Sequence, residues 1–321
     1  MSDSLSSIPT GQLSANDSAS RLTLPYERVL ACLASLEQSG FSADLSEHIA
    51  KELTGVRLAL AAYESGQLLV SELIKANKFV ASKPDHRNVE VLRYGLQQLA
   101  DCLKELQATE KDTISALLPA LNELAAMSGR ALVTENVFSV PDVFKVESPD
   151  LRVKTDSKTL ENWYLEFSQL LHGIQRGDAR TEKAKKLSVF FERLAEHSVD
   201  DDKPRSFWLA CSVFLQTIEQ PAGELRPAVF SVLKQIEKVA IDALGGGQRP
   251  VLGIQIHIDR LLCNLLCYIH CRDYQGENRA LLDASFGFTE VFAEIDQLRD
   301  STDTQSSAWV EHSVFLSLIH I

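Results

Sequence analysis

Positive charge is in short supply in this 321-residue chain: 32 Lys and Arg face 44 Asp and Glu, a formal net charge of −12 at pH 7. A nucleic-acid binder displaces counterions with a basic face, and an anionic membrane repels a surface of this sign. The balance therefore argues against a nucleic-acid partner and against membrane association. Aromatic residues are sparse at 7%, while Leu and Ala dominate, which suits helices better than sheets. No stretch alternates apolar and polar residues for long enough to predict a strand. The N-terminus lacks the basic and then apolar run of a signal peptide. The most apolar stretch, Val251 to Cys271, is interrupted by His257, Asp259, Arg260, Asn264 and His270, too polar for a membrane-spanning helix. Six cysteines lie inside apolar helical patterns, without the loop-rich spacing of a secreted disulfide scaffold. The expected compartment is the cytoplasm.

What is there is helical periodicity. Residues 1–22, rich in Ser, Asp, Asn and Gly, read as a disordered tail. Pro25 suits a first helical turn, and Val29, Leu30, Leu33 and Leu36 follow at helical spacing until Gly40. The pattern resumes from Asp44 to Val80, with a break expected near Ser65–Gly66. After Lys83–Pro84, one helix carries Leu92, Leu96, Leu99 and Leu103, and another carries Ile114 to Leu124. An up-down bundle over 23–128 is the economical packing solution. Residues 129–157, with Pro141 and Pro149, read as a linker. A second all-helical module over 158–321 is expected, with helices marked by Trp163 to Ile174, Ala184 to Leu194, Phe207 to Ile218, Val229 to Val239, Val251 to Cys271 and Phe288 to Leu298. The predicted fold class is all-α. The ending Ser317-Leu318-Ile319-His320-Ile321 is like a translated sequencing-adapter tail, so the natural protein is expected to continue further.

Chemistry is thinly signalled. Cys263, Cys267 and Cys271 stand at i, i+4 and i+8, on one helix face. They are candidate metal ligands, but three sulfurs on one rigid helix cannot surround an ion tetrahedrally, and buried cysteine is a common small hydrophobe. His48 is a candidate phosphoacceptor, with Lys51 three residues on. A phosphate-accepting histidine of a phosphotransfer bundle has a Gly four residues later, leaving room for the partner, and nearby cations balance the phosphate. Position 52 is Glu, and the residue four before Gly55 is Lys51. There is no Walker loop, Gly-x-Ser-x-Gly, His-Glu-x-x-His or dinucleotide fingerprint. Gly245-Gly246-Gly247 falls at a helix end, and Asp200-Asp201-Asp202 lacks the later Glu of a calcium loop. No catalytic residue, cofactor or metal is expected.

Two regions carry a family resemblance. Val91-Leu92-Arg93-Tyr94-Gly95-Leu96-Gln97-Gln98-Leu99, then Leu117-Leu118-Pro119-Ala120-Leu121-Asn122-Glu123-Leu124, then Glu135-Asn136-Val137-Phe138-Ser139-Val140-Pro141-Asp142 resemble the N-terminal region shared by ChpA-type hybrid chemosensory kinases and FimL scaffolds of type IV pilus systems. Phe207-Trp208-Leu209-Ala210-Cys211-Ser212-Val213-Phe214 and Leu261-Leu262-Cys263-Asn264-Leu265-Leu266-Cys267-Tyr268-Ile269 resemble the second FimL domain. The likeness covers residues 25 to 285. It implies a phosphotransfer-like (Hpt-like) bundle whose acceptor histidine is missing, followed by a second helical domain. By resemblance, the protein is a non-enzymatic scaffold controlling type IV pili, twitching motility and cAMP signalling. Its implied partners are response regulator receiver domains and polar scaffold proteins, and its implied address is the cytoplasm, including the cell pole. The alternative is the N-terminal phosphotransfer region of a ChpA-type hybrid histidine kinase, working in a phosphorelay through His48.

Overall fold

The computed structural model describes residues 15–133, 151, 153, 155–177, 179–198, 202–218, 226–244, 258–271 and 276–300. The fold is all-α: beyond helices, the described residues contain one isolated antiparallel bridge, Val153 to Ser198. The chain divides into two compact units, Met1–Asp112 and Thr113–Ile321. Most of the expected linker lies outside the described residues, as do Gly245-Gly246-Gly247, Asp200, Asp201 and the C-terminal tail.

The first unit holds α1 (Ala15–Ser39), α2 (Ala43–Ala59), α3 (Glu64–Ser82) and α4 (His86–Thr109). Each helix packs on its sequence neighbours, and α1 also packs on α4, closing a four-helix ring. The core is aliphatic, with Leu33 and Leu36 of α1, Ile49, Leu53 and Val56 of α2, Leu69 and Leu73 of α3, and Leu96, Leu99 and Leu103 of α4 all buried. These residues recur at intervals of three and four, the period that puts one face of a helix inward. Gly40, at φ +70°, takes the left-handed turn that ends α1. Helix α1 begins at Ala15, eight residues before the bundle expected from residue 23, and Pro25 lies inside it. Leu22 explains the extension, because its side chain is 1% exposed and adds a core contact upstream of the proline.

Two buried polar contacts fix the α2–α3–α4 arrangement. Asn77 Nδ2 donates to the Ser46 carbonyl at 2.8 Å, and Ser46 Oγ donates back to Asn77 Oδ1 at 3.3 Å. Tyr63, which precedes α3, gives that helix no side-chain cap. Its first turn is capped instead by Asp112, whose Oδ2 accepts from the Ser65 amide at 2.9 Å.

The second unit holds a 3-10 turn (Ser115–Leu117), α5 (Leu118–Met127), α6 (Ser157–Arg176), α7 (Arg180–Glu196), α8 (Asp202–Thr217), α9 (Pro227–Leu244), α10 (Ile258–His270), α11 (Glu277–Phe286) and α12 (Phe288–Asp300). Ile114 to Met127, expected from their periodicity at the end of the first bundle, fall in the second unit, α5 lying on α9 and α10. Glu123 of α5, 1% exposed, accepts from the Ala228 amide at 2.9 Å and so caps the start of α9. The core of α6, α7 and α8 is aromatic. Phe191 stacks on Trp208 at 5.6 Å and 10°, and Phe167 meets Phe190 at 5.8 Å. Asp156 caps α6 through the amides of Lys158 and Thr159, both at 3.0 Å, and Gly177 at φ +84° ends it.

Candidate functional site

The face of α2 that the phosphotransfer pattern singles out can be built from its ends. Ser42 caps the helix by accepting from the Leu45 amide at 3.2 Å. Ile49, Leu53 and Val56 then turn inward, which forces His48, Lys51, Thr54 and Leu58 outward, and all four are exposed. Leu58 is 77% exposed, the most exposed large apolar side chain among the described residues, with Ala61 and Ala62 exposed beside it in sequence.

Position 52, where a phosphotransfer helix carries its glycine, holds a half-buried glutamate paired with Arg28 of α1 at 3.3 Å. The same guanidinium roofs Gly55: a Cβ built there would stand 3.1 Å from Arg28 Nη1. A charged side chain therefore covers the small residue on this face. Sequence reasoning could not find the roof, since Arg28 and Gly55 lie on different helices.

Cys263 and Cys267 are buried in α10, and Cys271 stands just past its end, half-buried. Burial, with a smaller push from Asp259, raises the Cys263 thiol to about 12, so it stays protonated at neutral pH and is a poor ligand. Cys271 Sγ donates to the Ser115 carbonyl at 3.1 Å. Among the described residues no group of three His, Cys, Asp or Glu is placed to hold a metal ion. The ring of His270, next to Cys271, stacks on Phe292 at 4.9 Å.

The second unit has two polar constellations with no sequence signal of their own. Glu192 Oε1 accepts from Ser212 Oγ at 3.2 Å, Gln216 Nε2 at 3.4 Å and Asn278 Nδ2 at 3.0 Å, tying α7 to α8 and α11. Arg193 pairs with Glu166 and lies 5.4 Å from the Phe190 ring and 5.9 Å from the Trp163 ring. Both arrangements tie helices together, and the Ser212 hydroxyl that meets the Glu192 carboxylate is fully buried.

Residues 154–301 match the family model described as FimL scaffold protein second domain. This stretch is similar to a FimL second domain. The match runs from just before α6 to the end of α12, so the matched stretch takes in the aromatic core and the Glu192 network, while α5 and its cap on α9 lie upstream of it. Neither the curated proteins nor the solved structures yield a match to the chain. No helix among the described residues is long and apolar enough to cross a membrane.

Proposed function

We propose that this protein is a non-catalytic scaffold of a chemosensory two-component pathway controlling type IV pili, twitching motility and cAMP signalling. It works by docking response regulator receiver domains and polar scaffold proteins on its helix faces. The observation that carries the reading is the match of residues 154–301 to the FimL second-domain model. The first unit is, on this proposal, an Hpt-like bundle that has lost phosphoryl acceptance and kept a docking face. Two features support that. Glu52 places a carboxylate where a phosphate would need positive charge, and Arg28 covers the small residue that would admit a phosphorylated partner. Leu58, exposed on the same helix, supplies an apolar anchor of the kind that carries binding energy when a partner desolvates it.

The test is to mix the full chain with a phosphorylated receiver domain of a chemosensory response regulator, following complex formation by calorimetry and label by acid-labile phosphate. The expected result is a complex that Leu58→Asp weakens about tenfold or more, with no label on histidine. Label on histidine that disappears in His48→Gln would replace this reading with the phosphorelay one. Failure of receiver domains to bind at all would refute the docking proposal.

A further inference from the structure

Residues 176–186 read Arg-Gly-Asp-Ala-Arg-Thr-Glu-Lys-Ala-Lys-Lys, with five cations against two carboxylates in a chain whose net charge is −12. The structure puts them at the end of α6 and the start of α7. Arg176, Lys185 and Lys186 are exposed and Lys183 is half-buried. Glu182 answers part of this charge, its carboxylate meeting Lys186 Nζ at 2.6 Å. The Lys186 hydrogen bond first, and then the charges of Lys186 and Lys183, hold the Glu182 carboxyl below its ordinary range. Arg176 and Lys185 form no ion pair with another described residue.

The stability of the two helices does not account for this ridge. Arg176 and Lys183 gain from the negative C-terminal end of α6, but Lys185 and Lys186 stand in the first half of α7, toward the positive end of its dipole. Gly173 sharpens the point. A glycine inside a helix weakens it, and the nearest neighbours of a Cβ there would all be atoms of Lys183, which would collide with it. The outer atoms of the half-buried Lys183 lie over this glycine, so this cation of the ridge reaches from α7 onto α6.

We propose that the ridge formed by Arg176, Lys183, Lys185 and Lys186 is a docking surface for an acidic segment of a partner protein. Charge complementarity fixes the occupant's sign. The occupant's class follows from the surroundings. Leu187, Phe190, Phe191 and Leu194, the apolar face of α7, are buried in the core, so α7 cannot lie in a membrane interface. The acidic remainder of the chain opposes the long phosphate track of a nucleic acid. The inference rests on the scaffold reading only in taking the occupant to be a protein.

The test uses the full chain and a fluorescein-labelled polyglutamate peptide, read by fluorescence anisotropy. Wild type should bind the peptide with an affinity that falls as salt is added. K185E/K186E should weaken binding about tenfold or more, while K78E/K104E, an equal charge change on exposed α3 and α4 positions, should leave it within about twofold. The proposal is overturned if the two double variants weaken binding equally, if wild type does not bind the peptide, or if phosphatidylserine vesicles or single-stranded RNA bind more tightly than the peptide. Leu58→Asp should bind the peptide as wild type does, so this surface and the receiver-docking face on α2 stand or fall separately.

Discussion

Replacing Glu123 should unfasten α9. The carboxylate is buried and its Oε2 accepts from the Ala228 amide at 2.9 Å. Alanine at 123 leaves that N–H in a water-free site without this acceptor, a loss of about 1–3 kcal/mol. The removed side-chain bulk and the lost anion at a helix N-terminus add roughly 1 kcal/mol, so E123A should lose about 2–4 kcal/mol. Glutamine keeps an acceptor oxygen within reach and forfeits only charge, so E123Q should lose about 1 kcal/mol. Tryptophan fluorescence is a suitable probe, because no tryptophan precedes residue 113 and Trp163 and Trp208 lie in the helices of the second unit. Urea unfolding curves at matched slope would give the two differences. At roughly 2–4 °C per kcal/mol for a unit of this size, E123A should melt about 4–16 °C below wild type. If E123A and E123Q unfold at the same urea concentration, or E123A lies within about 0.5 kcal/mol of wild type, the long-range cap carries no energy and the account of α5 fails.

Burial raises the Cys102 and Cys263 thiols to about 12 and pushes Cys211 well above its ordinary range. At pH 8 only about one in 10⁴ of a pKa-12 thiol is thiolate, so iodoacetamide should label these three only after denaturation, as mass spectrometry of peptides from native protein would show. Gly66 has Leu60, fully buried, packed where its Cβ would stand, 3.1 Å from Cδ1. Gly66→Ala should therefore destabilise the first unit by about 1–3 kcal/mol through overpacking, and a helicity melt unchanged from wild type would contradict this. The Asp156 carboxyl is held below its ordinary 3.8, first by the hydrogen bond from Thr159 Oγ1 and then by backbone amides. A depressed folded-state pKa gives stability that is present above the unfolded value and lost as pH falls through the folded one. The gap in urea midpoint between wild type and Asp156→Ala should accordingly close as pH drops below 3.8, and a gap that persists in acid would count against the cap.

Most helices were legible because a 3.6-residue period survives in composition: Leu92, Leu96, Leu99 and Leu103 need only an inward face to explain them. The break between α2 and α3 falls at residues 60–63, a little before the expected Ser65–Gly66, since Gly66 serves close packing against Leu60 and not the turn. The allegiance of α5 was not legible. Glu123 in the sequence looks like a charged residue on an amphipathic helix, and only a partner 105 residues away makes it a buried acceptor. The outward histidine of α2 was visible in the sequence, but the Arg28 roof over Gly55 was not, because it depends on how α1 lies across α2. The cationic ridge was present as composition all along, yet the placement of Lys183 over Gly173 needs the crossing of two helices to appear.

Asp112 and Glu123 have a consequence for how the chain is made. The Ser65 amide finds its carboxylate 47 residues downstream, and the Ala228 amide finds its own 105 residues upstream. During synthesis, then, the first turn of α3 emerges before its fastening exists, while α9 emerges with its fastening already waiting. A ribosome stalled anywhere between residues 65 and 112 should display an α3 whose opening turn still exchanges its amide protons with water. Stalled beyond the exit of α9, the same experiment on Ala228 should find the proton held.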